Sequence, residues 1–373
     1  MQTLVALGNT IANSFALVYL VRQGHEYLDC ALFIFTIVIV SLALMSFASR
    51  AVVSRFPQSI ETGMIFLVLY YIGLMFLDGW YLVFIPPIMF GIYMVTFWVP
   101  YNALIMHISS SKARGATVGA YFLIWPMVTT IGPLLGGLII DLQSYRILFL
   151  TAAVVITANL VYIAGWRVLS HIRQRTIIPE LLQSLWTNIV QRRRLDVDFA
   201  GVGKRLIGGL FAQGVADGVL WIGIPLITFE FAENEVTLSG YLSLFAFWGA
   251  VMTVALGYLS DRIKNRTAFV RVCAAFSGIS LIVAAIASSA EGYGTAMSMA
   301  NFWIAVVPAF LFTMLLDQLE RFKKKGVIVR EFLLNAGRAI GATIIILSLI
   351  AEIDLELTLM VAGAAYLAIV LVK

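Results

Sequence analysis

Apolar runs of close to twenty residues, repeated from one end of the chain to the other, restrict this sequence more than any other feature does. One helical crossing of a bilayer takes about 20 apolar residues. The chain has 373 residues; 61% are apolar and only 12% are charged, against roughly a quarter charged in an ordinary soluble domain. That leaves too little polar surface to cover a soluble globule. The same figures exclude a disordered chain, a collagen, a coiled coil and a secreted disulfide scaffold. Transmembrane β-strands alternate apolar and polar residues, so continuous apolar runs exclude a barrel as well. The expected class is an all-α integral membrane protein with twelve transmembrane helices in two pseudo-symmetric six-helix bundles.

The first six runs are Thr3 to Val21, Asp29 to Ala48, Thr62 to Leu77, Trp80 to Ile108, Gly115 to Ile140 and Tyr145 to Val168. The second six are Leu206 to Thr228, Leu238 to Leu259, Ala268 to Ser288, Gly294 to Leu316, Glu331 to Ala351 and Leu357 to Val372. Of the 25 Lys and Arg residues, all but Arg22, Arg146 and Arg338 fall in alternate loops. The intervening loops are acidic, with Glu26, Asp78, Asp141, Glu230, Glu235 and Glu291 among them. Cations collect on the cytoplasmic side of membrane proteins. Both termini are therefore expected in the cytoplasm of a multi-pass protein of the cell membrane, and Arg22 alone argues locally against that orientation. Met1 leads almost directly into the first run, so no removable signal peptide is expected. The net charge of +5 reads as topology and not as nucleic-acid binding.

The longest loop divides the chain into 1–169, a linker at 170–202 and 203–373. Within it Ile178, Leu181, Leu182, Leu185, Trp186, Ile189 and Val190 recur at helical spacing before Arg192, Arg193 and Arg194. This is the pattern of an amphipathic helix lying on a membrane surface; a regulatory or partner-binding segment is the alternative. The halves echo each other. Asn9, Ala12, Asn13 and Ser14 in helix 1 match the spacing of Gln213, Ala216, Asp217 and Gly218 in helix 7. Repeats of this kind place a substrate site near the midplane, at their interface.

After helix 8 the chain reads Gly257-Tyr-Leu-Ser-Asp261-Arg262-Ile-Lys264-Asn-Arg266. This resembles the second-half signature of the major facilitator superfamily, with Lys264 where that family usually has glycine. The loop after helix 2 keeps Arg50 and Arg55 but lacks the glycine and the aspartate. Helix 5 carries Gly132-Pro133-Leu-Leu-Gly136-Gly137, similar to a segment of that family associated with exporters. The resemblance implies a central cavity lined by helices 1, 4, 7 and 10. It also implies that Asp261 braces the halves by approaching the start of helix 5, near Arg114 and Gly115. The glycines permit close helix packing, and Pro133 removes a helix hydrogen bond; a bendable gate and plain packing are both open readings.

Asp217 is the most informative residue. It lies midway along an apolar run, where an ionised carboxylate costs about 2.5–3.5 kcal/mol to insert. Such a residue faces a cavity, pairs with a cation or takes up a proton; a hydrogen-bonded packing role is the alternative. Arg338 in helix 11, with Asn335 nearby, either binds, pairs with Asp261 or snorkels to the surface. Asn9, Asn13, Asn102 and Gln213 are candidates to line a polar pathway. Trp98 and Trp221 are candidates to stack on a substrate. His25, His107 and His171 have no metal-ligand spacing, and no nucleotide-binding or hydrolase motif is present. No enzyme activity, cofactor or metal is expected. The expected function is secondary active transport of a small molecule by a monomer, coupled to protons, with export of an amphipathic or cationic compound favoured. Uptake of a polar metabolite, a sugar or organic acid, is the runner-up, and a transport-inactive receptor or scaffold is the reading from another class.

Overall fold

The computed structural model describes residues 2–108, 114–169, 178–179, 183–184, 186–187, 197–232, 234–259, 265–319 and 323–371. Among them the regular structure is entirely helical. Hydrocarbon offers no partner for exposed peptide groups, so each segment must satisfy its own backbone.

The first half comprises α1 (Gln2–Asn13, resuming at Ala16–Arg22), α2 (Tyr27–Ser54), α3 (Phe56–Phe76), α4 (Gly79–Tyr93, a π-helical turn Met94–Trp98, then Val99–Ile108), α5 (Arg114–Leu142) and α6 (Tyr145–Leu169). The second half comprises α7 (Lys204–Ala232), α8 (Glu235–Leu259), α9 (Arg266–Ala285), α10 (Ala290–Ile304 and Val306–Gln318), α11 (Lys323–Ile350) and α12 (Leu355–Ile369, opening with a 3₁₀ turn). Ten of these contain spans long and apolar enough to cross a membrane. Two shorter apolar stretches, Pro126–Leu142 in α5 and Leu355–Ile369, complete the twelve.

The interruptions have local causes. Proline has no N–H and crowds the carbonyl four residues back. Pro100 follows the π turn of α4, and Pro308 lies just past the break in α10. In α1, the hydroxyls of Thr10 and Ser14 bond back to Leu7 and Thr10 carbonyls at 3.3 and 3.2 Å, competing with the helical ladder beside the break.

Helices α3 and α11 begin earlier than the apolar runs predict. α3 starts at Phe56 rather than Thr62, which places Gln58 and Glu61 inside the protein. α11 starts at Lys323 rather than Glu331. Lysine is a good helix former, and its long stem lets the charge reach water from the first turns.

Packing in the first half recurs in the second. α1 lies against α5 and α6, α2 against α4, and α3 against α4 and α6; α7 lies against α11 and α12, α8 against α10, and α9 against α10 and α12. The halves meet along α5–α8 and α2–α11, two seams exchanged by the same pseudo-symmetry. Glycines let backbones approach both at a seam and within a half. An added Cβ on Gly137 of α5 would stand 2.5 Å from the Ser239 hydroxyl of α8, and one on Gly278 of α9 would stand 2.6 Å from the Gly363 carbonyl of α12. Trp80 and Tyr81, 64% and 69% exposed at the start of α4, sit where aromatic belts meet the membrane surface. The end of the molecule holding the cation-rich loops is the basic end, and the other is the acidic end.

Candidate substrate and coupling site

Asp217 is the fourteenth of the 29 residues of α7, so no loop can supply its partner. The partner comes from α11. The Arg338 Nη2 donates to the Asp217 Oδ2 at 3.0 Å, with side-chain exposures of 9% and 18%. The same guanidinium lies over the Trp221 ring, 4.3 Å from its centroid. Asp217 and Trp221 are one turn apart on α7, so one face of that helix presents the acid and the ring together.

Two helices come this close because each carries two glycines one turn apart. Gly214 and Gly218 of α7 meet Gly337 and Gly341 of α11. A Cβ on Gly214 would stand 3.0 Å from the Gly337 Cα, and one on Gly218 would stand 2.8 Å from the Arg338 Cα. The repeated small-x-x-x-small spacing was a legible sign of this crossing.

Arg338 is therefore well inside the membrane, some four turns from the start of α11. Its described carboxylate partner is Asp217, reached across the helix interface and not from the surface. On the same face lie Asn335 and Glu331, at i, i+4 and i+7. Glu331 is 7% exposed. Glu331, the first residue of the eleventh apolar run, is thus a second buried acid. The neighbouring Arg330 donates to Glu331, and Asn102 of α4 donates to it at 3.4 Å. Asn102 thus joins the first half to the second. Asn335 donates to the Glu331 carbonyl at 2.8 Å. Gln213, one turn from Asp217 towards the basic end, is 2% exposed, and its Oε1 has no partner among the described residues.

Other expected residues have partners of their own. Asn13 and Asn9 accept from Tyr70 and Tyr71 of α3, at 2.7 and 3.0 Å, so both are engaged within the first half. Trp98, the last residue of the π turn, packs edge-on to Phe97 and Tyr101. An added Cβ on Gly63 of α3 would come 2.9 Å from the Phe97 nitrogen, so α3 backs directly onto that turn. Gly132 and Gly136 abut Thr10, Ile11 and Phe15 of α1, which is packing for the α5 motif around Pro133. Of the gating motif, Gly257 lies in α8, and Arg266 pairs with Asp317 of α10 at 3.1 Å, both exposed. Asp261 and Arg262 lie outside the described residues, and so does the side chain of Arg114.

Both ends of the seam between the halves are tied. At the acidic end, the Arg22 Nε donates to the Glu235 Oε1 at 2.7 Å, and the Tyr145 hydroxyl donates to the same oxygen at 3.0 Å. Arg22, the cation that broke the charge pattern, thus links α1 and α6 to α8. At the basic end, the close of the linker lies on α11. Lys325 Nζ bonds the Asp198 carboxylate and the Ala200 carbonyl, each at 2.7 Å, and Phe199 meets the edge of Phe332. The Lys325 ammonium holds the exposed Asp198 carboxyl below its usual range. Ser184 donates to the Phe47 carbonyl of α2 at 3.0 Å. Most of the amphipathic segment, Leu181, Leu182, Leu185, Ile189, Val190 and Arg192 to Arg194 included, lies outside the described residues.

No curated protein sequence matches the chain. Among solved structures it is similar to the human organic anion transporter MFSD10 (TETRAN), at a TM-score of 0.65 and 12% identity, covering 99% of this chain and 97% of that one. At that identity the likeness shows the fold. The family model of the Major Facilitator Superfamily matches residues 1–370. With twelve helices, a repeated six-helix packing and a match over nearly its whole length, this multi-pass membrane protein belongs to the Major Facilitator Superfamily of transporters.

Proposed function

We propose that this transporter is a secondary carrier working by alternating access, coupled to protons, with Asp217 and Arg338 as its coupling centre. One observation carries the reading: an acid and a base, paired at 3.0 Å, sit midway through the membrane on two helices in close contact. Buried ion pairs are poor stabilisers, and apolar replacements are often neutral or better. Stability therefore gives no reason to keep this one. A proton on Asp217 removes the ionic partner of Arg338, so the pair has two arrangements that differ by one proton. Ties at both ends support alternation: Arg22–Glu235–Tyr145 at the acidic end, and Asn102–Glu331 at the basic end. Opening one while keeping the other gives access from one side at a time.

The charge pattern of the loops supports both termini being cytoplasmic, and the proposed location is the cell membrane. The repeated packing supports units at 1–169 and 203–373 joined by the linker at 170–202. Each chain holds its own centre, which supports a working monomer. Export of a cation rests on the α5 motif and on an available central acid. That acid is engaged by Arg338, and the centre is polar, with Gln213, Asn335 and Glu331 close by in sequence. The paired centre favours the second reading, uptake of a polar metabolite.

The test is proton movement in proteoliposomes holding a trapped pH dye, with drugs, sugars, organic acids and amino acids added in turn. Wild type should show compound-dependent proton flux, and Asp217→Asn should abolish it. Compound movement at the wild-type rate and pH dependence in Asp217→Asn would remove Asp217 from coupling.

A further inference from the structure

We infer that the substrate carries one negative charge and crosses together with one proton. This rests on the carrier reading above and names the charge and stoichiometry it leaves open. The starting point is the incomplete satisfaction of Arg338. A guanidinium offers five N–H donors in a planar fork. Here Nη2 serves Asp217, while Nε and Nη1, both buried, have no partner among the described residues. Buried donors without partners are rare in native proteins and each calls for an explanation; in the middle of a transporter, a substrate acceptor supplies one. Trp221 covers a face of the guanidinium, so an acceptor must approach in the plane, at the edges. Carboxylate and other oxyanion oxygens bond guanidinium groups in that plane.

Charge then separates the possible substrates. By itself the centre is neutral, Asp217 being negative and Arg338 positive. The adjacent Arg330–Glu331 pair is neutral too. Among the described residues, the charged or titratable groups acting on Asp217 are Arg338, Arg330 and Glu331 of α11 and Tyr366 of α12. A bound monoanion alone leaves one uncompensated negative charge, and a proton alone leaves one positive charge. Both together restore neutrality: the proton rests on Asp217, and the anion takes its place beside Arg338. An uncompensated buried charge is strongly disfavoured. The forms that close and cross are then the empty carrier and the carrier holding both ligands. A cation would need Asp217 and would strand Arg338. A neutral polyol would satisfy the free donors but would give the proton no role.

The experiment uses the full-length protein in detergent and in proteoliposomes. Thermal unfolding is measured with matched families of small organic acids, their amides and the corresponding amines, at pH 5.5 and 7.5. Stabilisation should be confined to acids that stay ionised at both pH values, including sulfonates. Above the pKa of Asp217, their apparent affinity should rise roughly tenfold per unit fall in pH, as binding linked to one proton requires. It should be lost in Arg338→Gln, and in Asp217→Asn it should persist without its pH dependence. The double variant Asp217→Asn/Arg338→Gln, which strands no charge, provides a folded control and should bind no acid. Flux of the binding acid should carry one proton per anion and should not respond to a potassium–valinomycin potential. Stabilisation by amines or amides, or none by any acid, would overturn the inference. Proton-coupled flux of an amine or amide would overturn it while leaving the carrier reading intact. An acid bound through Arg338 that never crosses would overturn co-transport and the carrier reading together, leaving only the binding assignment.

Discussion

Asp217 and Arg338 are each costly to bury, and each is buried because the other is there. Removing one partner of such a pair costs about 3–5 kcal/mol, since a charge is left stranded. Asp217→Asn and Arg338→Gln should each lower the unfolding midpoint markedly in detergent. The double variant should recover most of that loss, which a double-mutant cycle on thermal unfolding measures. If the two single losses simply add, the pair is not the interacting unit its 3.0 Å geometry indicates. Asp217 was legible in the sequence because an acid midway along an apolar run has no surface to reach. Its partner was not, since residues 121 apart in sequence are joined only by tertiary packing. Glu331 was hidden for a different reason: it was read as the edge of an apolar run, and an edge residue looks like a loop residue.

At the scale of the helix, the α7–α11 crossing positions the site. Gly214 and Gly218 face Gly337 and Gly341 with backbone against backbone. A side chain there meets main chain, which cannot swing aside. Gly218→Ala and Gly337→Ala should therefore separate the helices, weaken the Asp217–Arg338 bond and reduce both stability and proton-coupled flux. Gly208, on the same α7, has nothing within 4 Å of an added Cβ. Gly208→Ala should be neutral or stabilising by up to about 1 kcal/mol, from helix propensity alone. Expression, unfolding midpoint and flux measured on the three variants check this, and equal effects at all three would count against a packing role. The α5 glycines work in the same way against α1 and α8, so their motif was visible in sequence while the surfaces they touch were not. The π turn of α4 had no signature beyond Pro100, because its form depends also on how Gly63 of α3 packs onto it.

Across the whole molecule, the halves are held at the acidic end by Arg22, Glu235 and Tyr145. Arg22 is 45% exposed, and such pairs contribute up to about 1 kcal/mol. Arg22→Gln should thus favour the form open at the acidic end by up to roughly fivefold. Distances between spin labels at the acidic ends of α1 and α8 would report it, and the exchange Arg22→Glu with Glu235→Arg should return the distribution towards wild type. An unchanged distribution in Arg22→Gln would mean that the seam is held by apolar packing alone. The number of crossings, the alternation of loop charge and the kinship of the two halves all follow from the sequence itself. Each span must satisfy its own backbone in hydrocarbon, and each loop must stay in water, so these are local requirements written in consecutive residues. Which helix lies beside which, that Arg338 meets Asp217, and that the discordant Arg22 ties one half to the other were decided only by the tertiary structure. Those pairings depend on close contact between surfaces that are equally apolar, and in a membrane apolarity does not select among them; the few glycines, acids and bases do so once the backbones are in place.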